Sequence, residues 1–259
     1  MKIITWNVNG VRARAEQVAE LIQREQPDVL CLQEIKVAID HLPKEIGEVP
    51  GYFAKWHGMK GYSGVALHVR EAFTSGGPSV WHPEFDHEAR IAVAEIKRVA
   101  APPVLVASIY VPNGGKDFPA KIRFLHALTT WAAEIRASGR ALVLCGDFNV
   151  ARAEIDVHPR ERNNRLMGQL PEERALFEGL LEAGGLRDVG RDLDPTNDAM
   201  YSWWAPWRNM RQRNVGWRLD YVLASAALAA RAVSCPAVRE FGTSDHGPVI
   251  ATFAEEATS

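Results

Sequence analysis

Short apolar segments, four to eight residues long and rich in valine, isoleucine and aromatic side chains, recur from end to end of this 259-residue chain. Segments of this length predict β-strands, because equally apolar helices run longer. The predicted strands span residues 2–6, 29–33, 62–69, 89–96, 104–111, 141–146, 218–223 and 249–253. A chain with so many strands must build its core on sheets.

Helical periodicity occurs in only three places, at residues 11–25, 117–137 and 171–183. So few helices cannot cover a doubly wound parallel sheet, in which a helix follows nearly every strand. We therefore predict an α/β fold built as a four-layer α/β sandwich, with two mainly antiparallel sheets packed face to face and helices outside. No linker or low-complexity segment divides the chain, so a single domain over residues 1–259 is expected.

The composition is that of a globular protein, with 47% hydrophobic and 24% charged residues. The net charge of -2 means that a nucleic acid would have to be bound by a local basic surface. Two stretches offer one: Arg208, Arg211, Arg213 and Arg218, and Arg160, Arg162 and Arg165. The 3 cysteines lack close spacing and predict free thiols in the cytoplasm. No apolar run is long enough to predict a membrane span.

Polar side chains end several predicted strands abruptly. They are Asn7 with Asn9, Glu34, Tyr110 with Asn113, and Asp147 with Asn149; in addition, Asp220 lies within the strand at 218–223, and Asp245 with His246 precedes the last strand. Each alone is compatible with a turn, a surface ion pair or a core position. Because strand ends meet along the rim of a sheet, we expect the set to converge on one site.

The chemistry of this set is that of phosphate-ester hydrolysis. Hard oxygen ligands with a single imidazole suit Mg²⁺ better than zinc. His246 can donate to a phosphate oxygen or accept a proton, with Asp220 fixing its tautomer. Asn149 can orient a water, and the Tyr110 phenol can contact a developing charge.

Seven short blocks carry a resemblance to a known family. They are Trp6-Asn7-Val8-Asn9-Gly10, Leu32-Gln33-Glu34, Tyr110-Val111-Pro112-Asn113, Gly146-Asp147-Phe148-Asn149, Leu170-Pro171-Glu172-Glu173-Arg174, Trp217-Arg218-Leu219-Asp220-Tyr221 and Ser244-Asp245-His246. In this order the chain resembles exonuclease III-type abasic-site (AP) endonucleases. These belong to the wider endonuclease/exonuclease/phosphatase superfamily, and the fifth and sixth blocks are typical of its DNA-repair branch.

The resemblance implies a DNase I-like sandwich and a role for each matched residue. The implied metal ligands are Asn7, Glu34, Asp147, Asn149 and Asp245. The implied catalytic residues are Tyr110, Asp147, Asn149, Asp220 and His246, with Asp147 as base or proton shuttle. Implied substrate-binding residues are Asn9, Asn113, Asn163, Trp203, Trp217 and Leu219, the last three forming a pocket for the base-less sugar. Asn9 stands where some members have Asp, which removes one negative charge from the metal site.

The loop after Trp203 is rich in tryptophan and arginine. We predict that Trp207 and Arg208 also bind substrate, by inserting into the duplex at the lesion. The alternative is that Trp207 packs into the core and Arg208 is a solvated charge. For Trp203 and Trp217 the alternative to a sugar pocket is likewise an ordinary core position.

The predicted activity is Mg²⁺-dependent cleavage of the phosphodiester 5′ to abasic sites, with 3′-phosphodiesterase and 3′→5′ exonuclease activity, and with Mn²⁺ as a substitute metal. The alternatives are a nonspecific nuclease or phosphatase of the same superfamily, or an inactive DNA-binding relative. The expected partner is double-stranded DNA with abasic or blocked 3′ ends, without any membrane. We expect a monomer in the cytoplasm, associated with the nucleoid in a bacterium.

Overall fold

The computed structural model describes residues 1–99 and 101–255. The described residues form twelve strands: β1 (Lys2–Asn7), β2 (Val29–Gln33), β3 (Tyr52–Met59), β4 (Tyr62–Arg70), β5 (Ser79–Trp81), β6 (Ile91–Ile96), β7 (Val104–Tyr110), β8 (Ala141–Asp147), β9 (Leu186–Asp188), β10 (Asp220–Ser225), β11 (Ala232–Ser234) and β12 (Val249–Phe253). Their α-helices are α1 (Ala15–Glu25), α2 (Lys44–Gly47), α3 (Phe118–Ala137), α4 (Pro171–Gly184), α5 (Val189–Leu193) and α6 (Ala226–Ala229). Short 3₁₀ turns join several of these elements.

The strands are arranged in two six-stranded sheets. The first has the order β11-β12-β1-β2-β4-β3, and the second has the order β5-β6-β7-β8-β10-β9. In each sheet one central pair is parallel, β1 with β2 and β7 with β8. The other neighbouring strands among the described residues are antiparallel. The prediction of two mainly antiparallel sheets is therefore confirmed.

Three apolar layers hold the sandwich together. Representative members are Ile3 and Val143 between the sheets, Trp6 and Leu21 between the first sheet and α1, and Leu144 and Phe177 between the second sheet and α4. Successive side chains of a strand point to opposite faces, so a strand that is covered on both faces must be apolar throughout. This double burial explains the continuous apolar runs of the sequence.

The long helices begin and end close to their predicted bounds. The Asp117 side chain caps α3 by accepting from the backbone N–H of Ala120 at 2.8 Å. Helix α4 ends at Gly185, whose φ of 59° places it in the left-handed region. The predicted helix 11–25 starts instead as a 3₁₀ turn, Val11–Arg14, before α1 begins. Strands β3, β5, β9 and β11 were not predicted.

Two long irregular segments, residues 152–169 and 192–217, lie side by side at one end of the sheets. Isolated β-bridges join Trp217 to both Val157 and Trp203, and a further bridge joins Trp203 to His246. The tryptophan-rich segment is therefore attached to His246, which lies shortly before β12. Among the described residues, no helix combines the length and the apolar character needed to cross a membrane.

Candidate active site

One end of the sandwich collects polar side chains at the ends of its central strands. Asn7 ends β1, and Glu34 directly follows β2. In the second sheet Tyr110 ends β7 and Asp147 ends β8, and Asp220 at the start of β10 pairs with Asp147 in the ladder. A hydrogen bond of 2.8 Å from Asn7 Nδ2 to Asp147 Oδ2 joins the two sheets at this end. The site is thus built across the seam between the sheets.

The chain turns sharply where it enters the site. Asn9, Glu34 and Asn149 all have positive φ, at 43°, 56° and 51°. Residues other than glycine rarely adopt a positive φ, and those that do concentrate at functional sites. Gly146 is needed for a different reason, since a Cβ there would lie 1.9 Å from the carbonyl oxygen of Ile109. A side chain before Asp147 would therefore push β7 away from β8.

His246 is buried between two carboxylates. Its Nδ1 lies 2.8 Å from Asp220 Oδ2, and its Nε2 lies 3.8 Å from Asp147 Oδ2. Burial lowers the pKa of His246, but the charges of Asp220 and Asp147 outweigh burial and raise this pKa to about 10. The imidazole is therefore protonated at neutral pH. Ser202, which sequence reasoning missed, donates to Asp220 Oδ2 at 2.7 Å and fixes that carboxylate.

The Asp147 carboxylate is surrounded by donors. The Asn149 backbone N–H donates to Oδ1 at 2.9 Å, and the side chains of Asn7 and Asn149 donate to Oδ2 at 2.8 and 3.3 Å. The amide oxygens of these two residues accept from the Asn9 backbone N–H and from Asn113 Nδ2. In this structure Asn7 and Asn149 both donate to Asp147, and their role as metal ligands stays a prediction. Burial raises the pKa of Asp147 to about 7, against the lowering effect of His246.

A second polar group lies beside the first. Lys36 Nζ is 2.8 Å from Glu34 Oε1 and donates to Asn9 Oδ1 at 2.6 Å. Asn9 Nδ2 in turn donates to Asp245 Oδ1 at 2.8 Å, and Trp203 Nε1 donates to Asp245 Oδ2 at 3.1 Å. Burial raises the pKa of Asp245, but His246 and these two hydrogen bonds outweigh burial and lower it, so the carboxylate stays ionised. Lys36 was missed, although a cation two residues after Glu34 is visible in the sequence.

The donor set fits a hard divalent cation. Glu34, Asp147 and Asp245 offer carboxylate oxygens, the ligands that such ions prefer. Asp147, Asp220 and His246 also bring ligand atoms within 4.8 Å of one another. Because His246 is protonated and hydrogen-bonded to Asp220, this trio is better suited to proton handling than to metal binding. Glu34 and Asp245 are the residues we expect to hold the ion.

Tyr110 is kept as a neutral phenol. Burial raises its pKa, and the nearby charges of Glu34 and Asp147 raise it further. The guanidinium carbon of Arg90, a buried residue that sequence reasoning missed, lies 4.9 Å from the centre of the Tyr110 ring. A neutral Tyr110 can donate a hydrogen bond to an anionic substrate.

The predicted sugar pocket has a defined wall. The rings of Trp203 and Trp217 meet edge to face, with centroids 5.4 Å apart. Both rings are partly exposed, and they pack against the buried Leu219 and Val157. Since Trp203 also bonds Asp245, the wall is attached directly to the polar site.

The other predicted substrate residues lie on exposed loops. Trp207 is 60% exposed, so the alternative of a core position for this tryptophan is wrong. The buried tryptophan of the loop is Trp204, which donates to Asn214 Oδ1 at 3.1 Å. Arg208 is exposed beside Trp207. Asn113 and Asn163 are also exposed, and each accepts a backbone N–H through its side-chain oxygen.

Two arginines predicted to form the basic surface are structural instead. Arg218 is buried and bonds the carboxylates of Asp156 and Asp188 at 2.7 to 2.8 Å. Arg211 donates to the backbone carbonyls of Arg239, Phe241 and Ser244, which anchors the segment before Asp245. The exposed arginines that remain are Arg160, Arg162, Arg165, Arg208 and Arg213.

A comparison with known protein families supports the chemistry of this site. The model of the "Endonuclease/Exonuclease/phosphatase family" matches residues 4–246. The chain belongs to the endonuclease/exonuclease/phosphatase family. Among relatives in this family, it is 37% identical over 260 residues to the DNA repair nuclease APEX1 of Danio rerio, covering 96% of this chain and 81% of that protein. It is 33% identical to exodeoxyribonuclease III of Haemophilus influenzae, over 98% of this chain and 100% of that protein.

A solved structure of another family member agrees with the fold. A 3′ phosphatase from Neisseria, bound to product DNA hairpin, superposes with a TM-score of 0.87 at 32% identity, covering 98% of this chain and 100% of that one. The 259-residue chain is therefore itself a hydrolase of the exonuclease III type, that is, a DNA-repair nuclease, and its family consists of metal-dependent enzymes.

Proposed function

We propose that this nuclease cleaves duplex DNA on the 5′ side of abasic sites. The observation that carries the proposal is the hydrogen bond from Trp203 Nε1 to Asp245 Oδ2, which joins the aromatic wall to the polar site. A sugar without its base is small enough to pack against this wall of rigid aromatic rings, whereas an intact nucleotide is excluded by size. In this proposal the phosphate of the abasic nucleotide lies beside His246.

The proposed proton transfers follow the geometry of the site. In this proposal Asp147 takes a proton from the attacking water, and the contact between His246 Nδ1 and Asp220 keeps His246 as a hydrogen-bond donor. The water oxygen attacks phosphorus and the bond from phosphorus to the 3′ oxygen breaks. The 3′ oxygen takes a proton from solvent, which leaves a 3′ hydroxyl on the preceding nucleotide and a 5′ phosphate on the abasic sugar. His246 and Tyr110 donate hydrogen bonds to the phosphate oxygens, and Asn149 positions the water.

The same site accounts for further proposed activities. Mg²⁺, with Mn²⁺ as a substitute, would bind at Glu34 and Asp245 and neutralise charge that develops on the phosphate. Blocked 3′ ends present the same bond to the same groups, so 3′-phosphodiesterase and 3′→5′ exonuclease activity are included in the proposal. We propose that the single domain acts as a monomer. The cytoplasm is the proposed location, since Cys31, Cys145 and Cys235 are all free thiols.

The proposal is tested by single-turnover cleavage of two labelled duplexes that differ only in one stable abasic analogue. We expect a cut 5′ to the analogue with Mg²⁺, no cut with EDTA, and little cleavage of the intact duplex. Asp147→Asn should lower the rate by about 10²- to 10⁴-fold while binding of the abasic duplex persists in Ca²⁺. Equal cleavage of both duplexes would favour a nonspecific nuclease, and a variant within about threefold of the parent would remove Asp147 from the mechanism.

A further inference from the structure

A group of potential metal ligands lies outside the nuclease site, where the edges of the two sheets meet. His57 is on β3, the edge strand of the first sheet. His82 directly follows β5, the edge strand of the second sheet, and Asp86 lies in the connection to β6. The nuclease mechanism uses none of these three residues.

The three side chains converge. One ligand atom from each lies within 4.8 Å of the other two. His57 Nε2 is 2.6 Å from Asp86 Oδ2, and the rings of His57 and His82 stack with centroids 3.6 Å apart and planes inclined by 23°. His57 and Asp86 are partly buried, whereas His82 is exposed. The cluster therefore opens to solvent on the His82 side.

The surrounding hydrogen bonds fix two of the ligands, and the His57 ring has to rotate out of its stack with His82 for both imidazoles to face one ion. His82 Nδ1 lies 2.9 Å from the carbonyl oxygen of Ile91, so Nδ1 donates and Nε2 keeps its lone pair. Asp86 Oδ1 accepts from the backbone N–H groups of Arg90 and Ile91 at 2.8 and 3.0 Å, which leaves Oδ2 facing His57 Nε2 as the ligand atom. Histidine and carboxylate ligands of metals are usually fixed in this way, by a hydrogen bond that the other ring nitrogen donates or that the other carboxylate oxygen accepts.

We propose that His57, His82 and Asp86 form a binding site for a divalent transition-metal ion of the zinc class, distinct from the nuclease site. Two imidazoles and one carboxylate are a ligand set that Zn²⁺ and its neighbours prefer and that Mg²⁺ does not. The ion replaces the proton that His57 and Asp86 share, and that proton passes to solvent. A water completes the tetrahedral coordination on the exposed side.

The position of the site indicates what the ion does. It links β3 of the first sheet to the β5–β6 connection of the second, at an edge where neither sheet has a further strand within residues 1–99 and 101–255. Because the ligands come from two sheets, binding favours the docked, folded state over the unfolded chain. The role is therefore structural, and we expect it to appear as metal-dependent stability.

The test measures metal binding and stability on the full chain after removal of metals by EDTA dialysis. Co²⁺ is titrated and followed by its visible absorption, and Zn²⁺ is titrated against a chromophoric chelator. His82→Gln and His57→Gln each remove one ligand. His41→Gln is the matched control, because His41 also pairs with a carboxylate, at 2.9 Å from Asp40, but lies outside the cluster.

We expect the parent and His41→Gln to bind one more equivalent of Co²⁺ than either cluster variant. Zn²⁺ should raise the Tm of the parent and the control but not of the two variants. The affinity lost should exceed the roughly 10- to 100-fold that an outer hydrogen-bond partner contributes. His82 is exposed, so His82→Gln should fold normally. If that variant kept the full stoichiometry and the full gain in Tm, the proposal would be overturned.

Discussion

His246 is the side chain whose surroundings most constrain the chemistry. It lies between Asp220 and Asp147, and all three residues are buried. Asp220 also accepts a hydrogen bond from Ser202, so its position does not depend on His246 alone. Removing the Asp220 charge therefore lowers the pKa of the imidazole, so that a smaller fraction of it is protonated and able to donate to a phosphate.

We predict that Asp220→Asn and His246→Ala are strongly non-additive. Asp220 acts through His246, so its replacement should cost little once the imidazole is absent. Single-turnover rates of the two single variants and the double variant measure this coupling. Ser202→Ala is a useful third variant, and we expect a smaller loss that also vanishes in the His246→Ala background. Rate losses that multiply would show that the two residues act independently.

At this scale the sequence predicted the polar residues that end apolar strands, because the change from apolar to polar is visible within a few positions. It did not predict Ser202 or Arg90, since each is brought to the site by a tertiary contact without a local pattern, and it overlooked Lys36 although this cation lies two residues after Glu34. It also misassigned Arg218, because an arginine in a polar segment looks solvated until its buried carboxylate partners are known. Whether the assigned roles are correct stays a prediction.

At the scale of elements, α3 and α4 meet through a fully buried ion pair. Lys121 Nζ contacts Glu173 Oε1, and both side chains have no exposed surface. Lys121 also donates to the backbone carbonyl of Asn149 at 2.7 Å, and Glu173 Oε2 accepts from the N–H groups of Gly168 and Leu170 at 2.6 and 3.0 Å. The Leu170-Pro171-Glu172-Glu173-Arg174 block therefore supports Asn149 and the turn after β8.

Lys121→Met should destabilise the fold by about 3–5 kcal/mol, because it leaves the Glu173 charge buried without a partner. Adding Glu173→Gln should recover part of this loss, since the amide is neutral. Arg123→Met is the control on the same helix, where the ion pair with Asp117 spans 3.8 Å and is exposed. Urea unfolding measures the free energies of the parent, Lys121→Met, Glu173→Gln, the double variant and Arg123→Met. A double variant as unstable as the sum of the single variants would mean that the two charges are not coupled.

The loop that follows Trp203 carries the prediction about lesion recognition. Trp207 and Arg208 are both exposed, so their removal should leave the Tm unchanged. If the pair inserts into the duplex, Trp207→Ala with Arg208→Ala will weaken binding of abasic duplex far more than binding of intact duplex, measured in Ca²⁺. Arg213→Ala removes an exposed charge from the same loop and should weaken both duplexes about equally. If the double variant also weakened binding of both duplexes about equally, the loop would contact only DNA phosphates and would not insert at the lesion.

The four strands that the sequence did not predict are the four edge strands of the sheets. Strands β5, β9 and β11 have only three residues each, too few for a periodic pattern. Strand β3 is longer, but most of its residues are partly exposed and its sequence mixes lysine and histidine with aromatic residues. Central strands are covered on both faces and are therefore visible in the sequence, whereas edge strands exist because a neighbour offers hydrogen bonds.

The stability of the whole molecule depends on pH through His68, a buried histidine on β4. It contacts the ring of Trp56 at a centroid distance of 5.0 Å, and its Nδ1 has no hydrogen-bond partner among the described residues. Burial lowers the pKa of His68 to about 4. The unfolded chain binds a proton at this residue near pH 6.5 and the folded protein does not, so folding loses stability as the pH falls from about 6.5 to about 4.

His68→Met should remove this contribution. The parent should lose about 3 kcal/mol more unfolding free energy than the variant between pH 7 and pH 4, from about 1.4 kcal/mol per pKa unit. Urea unfolding across this range measures the difference. His126→Met, at an exposed position on α3, should keep the pH dependence of the parent. Parallel pH profiles for the parent and His68→Met would show that another group controls acid unfolding.

The contacts across the seam between the sheets also determine at which stage of folding the chain becomes able to cut DNA. Asn7 bonds Asp147 across 140 positions of sequence, and Trp6 donates to the His246 carbonyl across 240. Ser244, near the last strand, donates to the Asn7 carbonyl. During synthesis the early strands emerge long before these partners exist, and distant contacts of this kind form late. A growing or half-folded chain therefore has no assembled nuclease site, and nuclease activity arises only in a molecule whose last strand has docked.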